Sequence, residues 1–287
     1  MVRVAIPGGV WADVTAGAEE PRRELALRAV SGEDEVFLLE SADEAGPSAR
    51  ATELLGRCLS EPEMAAAVRR LTVGDREALL LHLRRLTFGE TIDCVLACPA
   101  EGCSERMELE VDVSDLLVPP YRDRRREYEL SIEADGAHYE LTYRLPTADD
   151  LDRVAPIARR DPERGAAALA ERCVVRVEHD DAHIDAAGLT PGVRHALADA
   201  MAAHDPQAEL ELELSCPACG AAFSIVFDTA SFFLQELDTR ASHLLQEVHT
   251  LASYYHWSER DILQMPWRRR ARYLELVASS VAQAGAR

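Results

Sequence analysis

The strongest constraint in this chain is a long spaced pattern that occurs twice, each time with one pair of cysteines. The first pair lies in Cys98-Pro-Ala-Glu-Gly-Cys103, the second in Cys216-Pro-Ala-Cys219. Leu71-Thr72-x-Gly74-x-Arg76-x-Ala78-Leu79 begins 27 positions before Cys98, and Leu189-Thr190-x-Gly192-x-Arg194-x-Ala196-Leu197 begins 27 before Cys216. Asp112 and Asp228 each follow the second cysteine of their pair by nine. Pro47 with Arg57-Cys58 returns as Pro162 with Arg172-Cys173. The offset stays between 115 and 118 residues throughout. The expected fold is α+β: two tandem pseudo-symmetric half-domains, each with strands, helices and a knuckle hairpin, followed by an all-helical C-terminal arm. The expected boundaries are 1–117, a linker over 118–136, a second repeat over 137–233, and the arm over 234–287.

The order of elements within each copy follows from local pattern. Alternating segments, Arg23 to Arg28 and Tyr139 to Arg144, predict half-buried strands. Ser31 and Thr147, each followed by acidic residues, carry helix-capping chemistry. Helices are expected over about 47–60 and 162–174, then 73–87 and 191–203. Leu79, Leu80, Leu83 and Leu86 recur at three and four, a buried stripe on the third of these. Both cysteine pairs sit between alternating runs that read as hairpins. Beyond 228 the pattern turns helical, with Leu237, Leu244, Leu245, Val248, Leu251, Ala252 and Tyr255 on one apolar face. Ser258 caps a short helix, and Pro266 opens the last one.

Four thiolates in a tetrahedron form the usual structural zinc site. One knuckle supplies two, so each needs a partner, and the repeat-related pair is the other one at hand. The expected ligands are therefore Cys98, Cys103, Cys216 and Cys219 around one structural zinc per chain. A redox Cys-x-x-Cys pair, metal-free core cysteines and an ion shared between chains are the competing readings. Cys94 lies four strand residues from Cys98, about 13 Å at the usual rise, and is set aside. Cys58 and Cys173, late in apolar helices, are expected in the core.

Formal net charge is −20, which disfavours nucleic acid or an anionic membrane as the main partner. No apolar run reaches the length that crosses a bilayer. The first residues lack a basic region before a long apolar stretch, which argues against a secretory leader. An odd number of cysteines, seven, in pairs spaced for metal fits the cytoplasm better than a disulfide framework. No phosphate-binding glycine loop, nucleophile elbow or zinc-protease helix motif is found, so no enzymatic activity is expected. Asp149-Asp150 and Asp180-Asp181 are expected as solvated turns rather than acid–base pairs.

Taken together, Leu71 to Gly89, Cys98-Pro-x-x-Gly-Cys103, Cys216-Pro-x-Cys219 and Phe227-Asp-x-x-x-Phe-Phe233 resemble the baseplate hub assembly chaperones of T-even-type phages. The form encoded with bacterial contractile injection systems is the most similar. The stretch Glu247 to Ile262 and the Arg-Tyr-Leu-Glu-Leu that follows are similar to that family's C-terminal helices. The resemblance implies a non-enzymatic helper, or minor structural part, that binds baseplate hub or tail-tip proteins of its own gene cluster. Residues expected to bind such partners are Tyr254, Tyr255, Trp257, Trp267, Arg268, Arg269 and Arg270 on the arm, taken as free from about residue 234. The alternative is a zinc-ribbon regulator that binds nucleic acid. It would need basic knuckles, whereas Glu101, Glu105, Glu209, Glu211 and Glu213 surround these.

Overall fold

The computed structural model describes residues 1–11, 20–41, 46–180 and 182–285. The chain opens with an antiparallel pair, β1 (Val2–Val10) and β2 (Arg22–Leu27). Helices α1 (Gly32–Glu40), α2 (Pro47–Cys58), α3 (Pro62–Ala67) and α4 (Val73–Phe88) follow. Proline in the first turn starts α2 and α3, where its missing N–H costs nothing. The Thr72 hydroxyl accepts from the Asp75 amide and starts α4. A hairpin of β3 (Thr91–Ala97) and β4 (Arg106–Asp112) then leads to the single turn α5 (Val113–Leu116).

A related order follows, with two strands in the place of α3. Strands β5 (Tyr128–Ala134) and β6 (Ala137–Tyr143) pair antiparallel, and α6 (Ala148–Ala158) and α7 (Pro162–Cys173) follow. Strands β7 (Val174–His179) and β8 (Ala182–His183) complete a four-stranded sheet in the order β5-β6-β7-β8. Next come α8 (Pro191–His204), a second hairpin of β9 (Glu211–Ser215) and β10 (Ala222–Val226), and α9 (Thr229–Ala241). The tail is α10 (Leu244–Tyr255), α11 (Glu259–Leu263) and α12 (Trp267–Gly285). The helix ranges expected from pattern agree with those observed to within about two residues, the usual uncertainty of helix ends.

One constellation recurs bond for bond. Arg28 donates to the Asp34 carboxylate at 2.5 and 3.1 Å, Arg57 reaches the same carboxylate at 3.1 Å, and the Ser31 amide and hydroxyl donate to it. In the second half Arg144 donates to Asp150 at 2.6 and 3.0 Å, Arg172 at 2.9 Å, and the Thr147 amide and hydroxyl complete the set. Both carboxylates are buried. Burial opposes their ionisation most strongly, but the arginine beside each, together with the amide and hydroxyl of Ser31 or Thr147, outweighs it and holds both carboxyls below the usual range. Asp149-Asp150 is therefore not the solvated turn expected: Asp150 is a buried hub that ties the start of α6 to the end of α7. Asp180 is exposed, and Asp181 lies outside the described residues. Cys58 and Cys173 are fully buried beside these hubs, as core cysteines.

Two cores are the largest among the described residues. The first gathers β1, β2, α2 and α4 with Phe233, Leu234 and Leu237 of α9. The second lies between the β5–β7 sheet and α8, with Tyr143, Leu189, Val193 and Leu197 at its centre. The two halves meet at the start of α4. Val73 N–H donates to Pro146 O, Ala148 N–H to Leu71 O, and the Gly74 amide to Asp205. A side chain at Gly74 would collide with that carboxylate, so only glycine permits the approach.

Three expectations fail here. Residues 118–136 are not simply a linker, because β5 pairs along its whole length with β6 and Tyr121 is buried against Asp205. Its alternation, Tyr-Glu-Leu-Ser-Ile-Glu, carried the strand signal. Nor is the arm free from residue 234. Leu234 and Leu237 fill the first core, Asp238 pairs with Arg50, and Glu236 with Arg84. Arg270, expected on a partner-binding surface, is completely buried, held between Glu35 at 2.6 Å and Glu247 at 3.0 Å. A run of arginines has no visible inside face; the acidic partners that bury one of them lie 235 and 23 residues away.

Replacing Arg270 with Ala should cost about 3–5 kcal/mol, because it strands two buried carboxylates; urea unfolding would measure it. Asp150→Asn should lower stability near neutral pH by about 2–3 kcal/mol. The native carboxyl titrates lower than the unfolded one, so its stabilisation is present above about pH 4 and lost as pH falls through the native value. The gap between wild type and Asp150→Asn in urea should therefore close in acid.

Candidate metal centre

Each knuckle is built by its own backbone. In the first, the Cys98 amide donates to Glu105 O and the Cys103 amide to Ala100 O. In the second, the Cys216 amide donates to Ala221 O and the Gly220 amide to Cys216 O. Gly102 and Gly220 take φ of +77° and +74°, the left-handed conformation that glycine adopts without strain. These turns fold the amides back onto sulfur: Ala100 onto Cys98, Glu105 onto Cys103, and Cys219 and Ala218 onto Cys216.

The strands alternate as hairpins with one covered face should. In β4, Met107, Leu109 and Val111 are half-buried, while Arg106, Glu108, Glu110 and Asp112 are exposed. In β9, Leu212 and Leu214 point inward, and Glu211 and Glu213 outward. A third apolar cluster joins the bases of the two hairpins. Leu81 on the far side of α4, with Ile92, Val113 and Leu116, packs against Leu212, Phe227 and Phe232. Sequence pattern had not singled out this joint, although the period-two alternation marks half of it.

Packing at the base brings the tips together. The sulfurs of Cys98, Cys103, Cys216 and Cys219 all lie within 4.8 Å of one another. Cys98 Sγ is 3.7 Å from Cys219 Sγ, and Cys103 Sγ is 3.9 Å from Cys216 Sγ. A disulfide needs about 2.05 Å, so neither is one. Four sulfurs at about 2.3 Å from a shared tetrahedral ion stand about 3.8 Å apart. The two cross-hairpin distances bracket that value. The four expected ligands are thus brought together, and the arrangement can hold a metal ion. Cys94 takes no part in the cluster.

Electrostatics make the same demand. Amides, chiefly that of Cys219, pull the Cys216 thiol down to about 7. The Ala100 amide also favours the Cys98 thiolate, but burial and the neighbouring sulfurs outweigh it and push that thiol up to about 12. One thiolate forms readily and the next resists, so a cation is what allows all four to ionise together. The surrounding side chains are acidic: Asp93, Glu101, Glu105, Glu108, Glu110, Glu209, Glu211 and Glu213 are exposed around the knuckles, against one arginine, Arg106.

The residues expected to bind partners are dispersed. Tyr255 stacks on Trp257, and Tyr273 meets both rings edge-on, against the α10–α12 cluster. The Trp267 indole donates to Thr87 O and Arg268 to Phe88 O, which docks α12 onto the end of α4. Arg269 is exposed over the Tyr273 ring, and Tyr254 is 51% exposed. Of the seven, Arg270 is sealed off, four serve the fold at least in part, and Tyr254 and Arg269 remain most available.

The fold is one of mixed helix and sheet, with a cluster of four cysteines at the meeting point of two hairpins that could hold a metal ion. A family model described as T4 bacteriophage base plate protein matches residues 18–234, and the chain belongs to that family. No curated protein and no solved structure matches it. No helix among the described residues is long and apolar enough to cross a membrane.

Cys216→Ser should abolish metal binding altogether, read by elemental mass spectrometry on the purified protein. Half-occupancy after the change would mean that each hairpin finds its ligands elsewhere.

Proposed function

We propose that the protein is a non-enzymatic assembly chaperone, or minor structural component, of the baseplate hub of a phage-tail-like contractile injection system. It acts on hub or tail-tip proteins of the same gene cluster, in the bacterial cytoplasm, and either leaves or stays in the particle. Membership of the baseplate family carries this reading, since it ties the chain to that assembly. We further read the chain as two copies of one unit closed on each other by a single structural zinc. The repeated arginine–carboxylate hubs and the four-sulfur cluster support this.

The chemistry agrees in kind. With four thiolates around it, zinc has no open position for substrate or water, so it supplies stability and no catalysis. Its contribution, on the order of 10 kcal/mol in small domains, rivals the whole stability of a domain. The zinc-ribbon regulator is the weaker alternative, because the knuckles carry carboxylates where a phosphate backbone would need arginines.

Co-expression of the whole gene cluster with a tagged copy, followed by mass spectrometry of what co-purifies, tests the assignment. Baseplate hub or tip proteins are the expected catch. Filter binding at low salt tests the alternative, and tight retention of DNA or RNA would reverse the order of the two readings.

A further inference from the structure

The first hairpin leaves one strand edge open. Its ladder closes at both ends through backbone bonds, Cys98 N–H to Glu105 O and Val113 N–H to Glu90 O. With the register fixed between them, antiparallel alternation turns the amides and carbonyls of Thr91, Asp93, Val95 and Ala97 away from β4. Arg84 donates to Thr91 O at 2.6 Å and occupies that end. Among the described residues, no hydrogen bond from outside the hairpin reaches the backbone of Asp93, Val95 or Ala97. Proteins usually guard such edges with charge. At the repeat offset these three correspond to Glu211, Glu213 and Ser215 of β9, and β4 carries Glu108, Glu110 and Asp112. Strand β3 keeps Asp93 alone, and has Val95, 53% exposed, where its copy has Glu213.

The open edge borders a groove. A space of about 620 Å³ runs between residues 93–96 of β3 and Phe232, Gln235, Glu236 and Thr239 of α9. These α9 positions stand at i, i+3, i+4 and i+7, one face of the helix. Cys94 and Leu96 belong to the half-buried face of β3, Asp93 and Val95 to its exposed face. Side chains of both faces border one groove where it follows the edge of the strand. Its fitting occupant is an extended chain, which can answer alternating backbone donors and acceptors. A helix cannot, because its own backbone groups are paired internally. Charge selects the sequence of that chain. An added strand continues the exposed face on which Asp93, Glu108 and Glu110 stand, so basic side chains suit it there, and apolar ones suit the side toward Leu96 and Phe232. Glu236 is already paired with Arg84. A second copy fits less well. Strand β3 against itself, β4 or β9 would set carboxylates side by side, in a chain of net charge −20.

We propose that the edge of β3, beside α9, takes up an extended segment of a baseplate partner as a third strand, one that alternates basic and apolar side chains. This deepens the assembly role, and rests on it for the source of the strand.

The probe is a labelled Arg-Val-Arg-Val-Arg-Val peptide, titrated against the full-length protein by fluorescence anisotropy. Saturable one-to-one binding is expected. An added strand turns only alternate amides toward β3. Of two forms of the peptide, N-methylated at the Arg or at the Val residues, one should therefore bind and the other fail. Retention by both forms means attraction of charge alone and overturns the proposal, as does loss in both. Val95→Pro removes an outward N–H and spares the β3–β4 ladder. It should weaken binding by about tenfold, with circular dichroism unchanged. Gln235→Trp, at an exposed position of α9, should block the groove to similar effect. Glu108→Pro, across the hairpin with its N–H on the opposite edge, should leave binding intact. Absence of saturable binding overturns the proposal, as does wild-type affinity in both Val95→Pro and Gln235→Trp, or equal loss in Glu108→Pro. A dimer in light scattering that Val95→Pro disperses overturns it in favour of a second copy, whose uncharged β10 edge would supply the strand. The titration contains no baseplate protein, so its failure is distinct from a failure of the assembly role, which the co-purification experiment judges.

Discussion

Everything in this molecule is arranged around α4, a helix with no face to spare. Leu79, Leu80 and Leu83 enter the first core, while Leu81 on the opposite side closes the joint beneath the two hairpins. Its first turn carries the contacts to the second half, and its last turn receives Trp267 and Arg268 of the tail. A helix buried all round must pair every polar group it carries. Arg76 is held against Glu77, Arg84 against Glu236, and His82 Nε2 against Ala5 O. These bonds fix how α9, β1 and α4 sit together beneath the two hairpins.

Buried charge is the second recurrent device. The hubs at Asp34 and Asp150 each join three segments through one carboxylate, and the Glu35–Arg270–Glu247 cluster clamps the tail to α1. Such pairs add little net stability over well-packed apolar residues, but breaking one side is expensive. Burial keeps Glu35 above the usual carboxylate range even with Arg270 against it, a sign of how much desolvation the pair must offset. What these pairs supply here is position. The tail carries a bridge from Pro266 to Ser31, at the place where Thr72 bridges Thr147 in the other half. Tail and α4 therefore occupy related sites, and the two halves diverge in what covers them.

The functional reading rests on two findings: the chain belongs to a phage baseplate family, and four of its cysteines cluster where they could hold a metal ion. The basic run at 268–270, which by composition looked like a docking patch, is divided by its surroundings. One arginine is sealed in the core, one is tied to Phe88 O, and one lies over an aromatic ring.

By itself the sequence determined the helices, the hairpins and the four cysteines that meet. Each is announced by local chemistry, whether apolar period, cap, turn glycine or ligand spacing, and by recurrence of the spacing in the second half. The fate of residues whose environment is made by distant segments was decided by tertiary structure alone. Arg270 is buried because Glu35 lies across from it, Asp150 because Arg144 and Arg172 converge on it, and α9 is core because α1, α2 and α4 leave a groove of its width. Periodicity records which face of an element is apolar. It holds no record of which other element that face will meet, and that pairing is settled only when the whole chain packs.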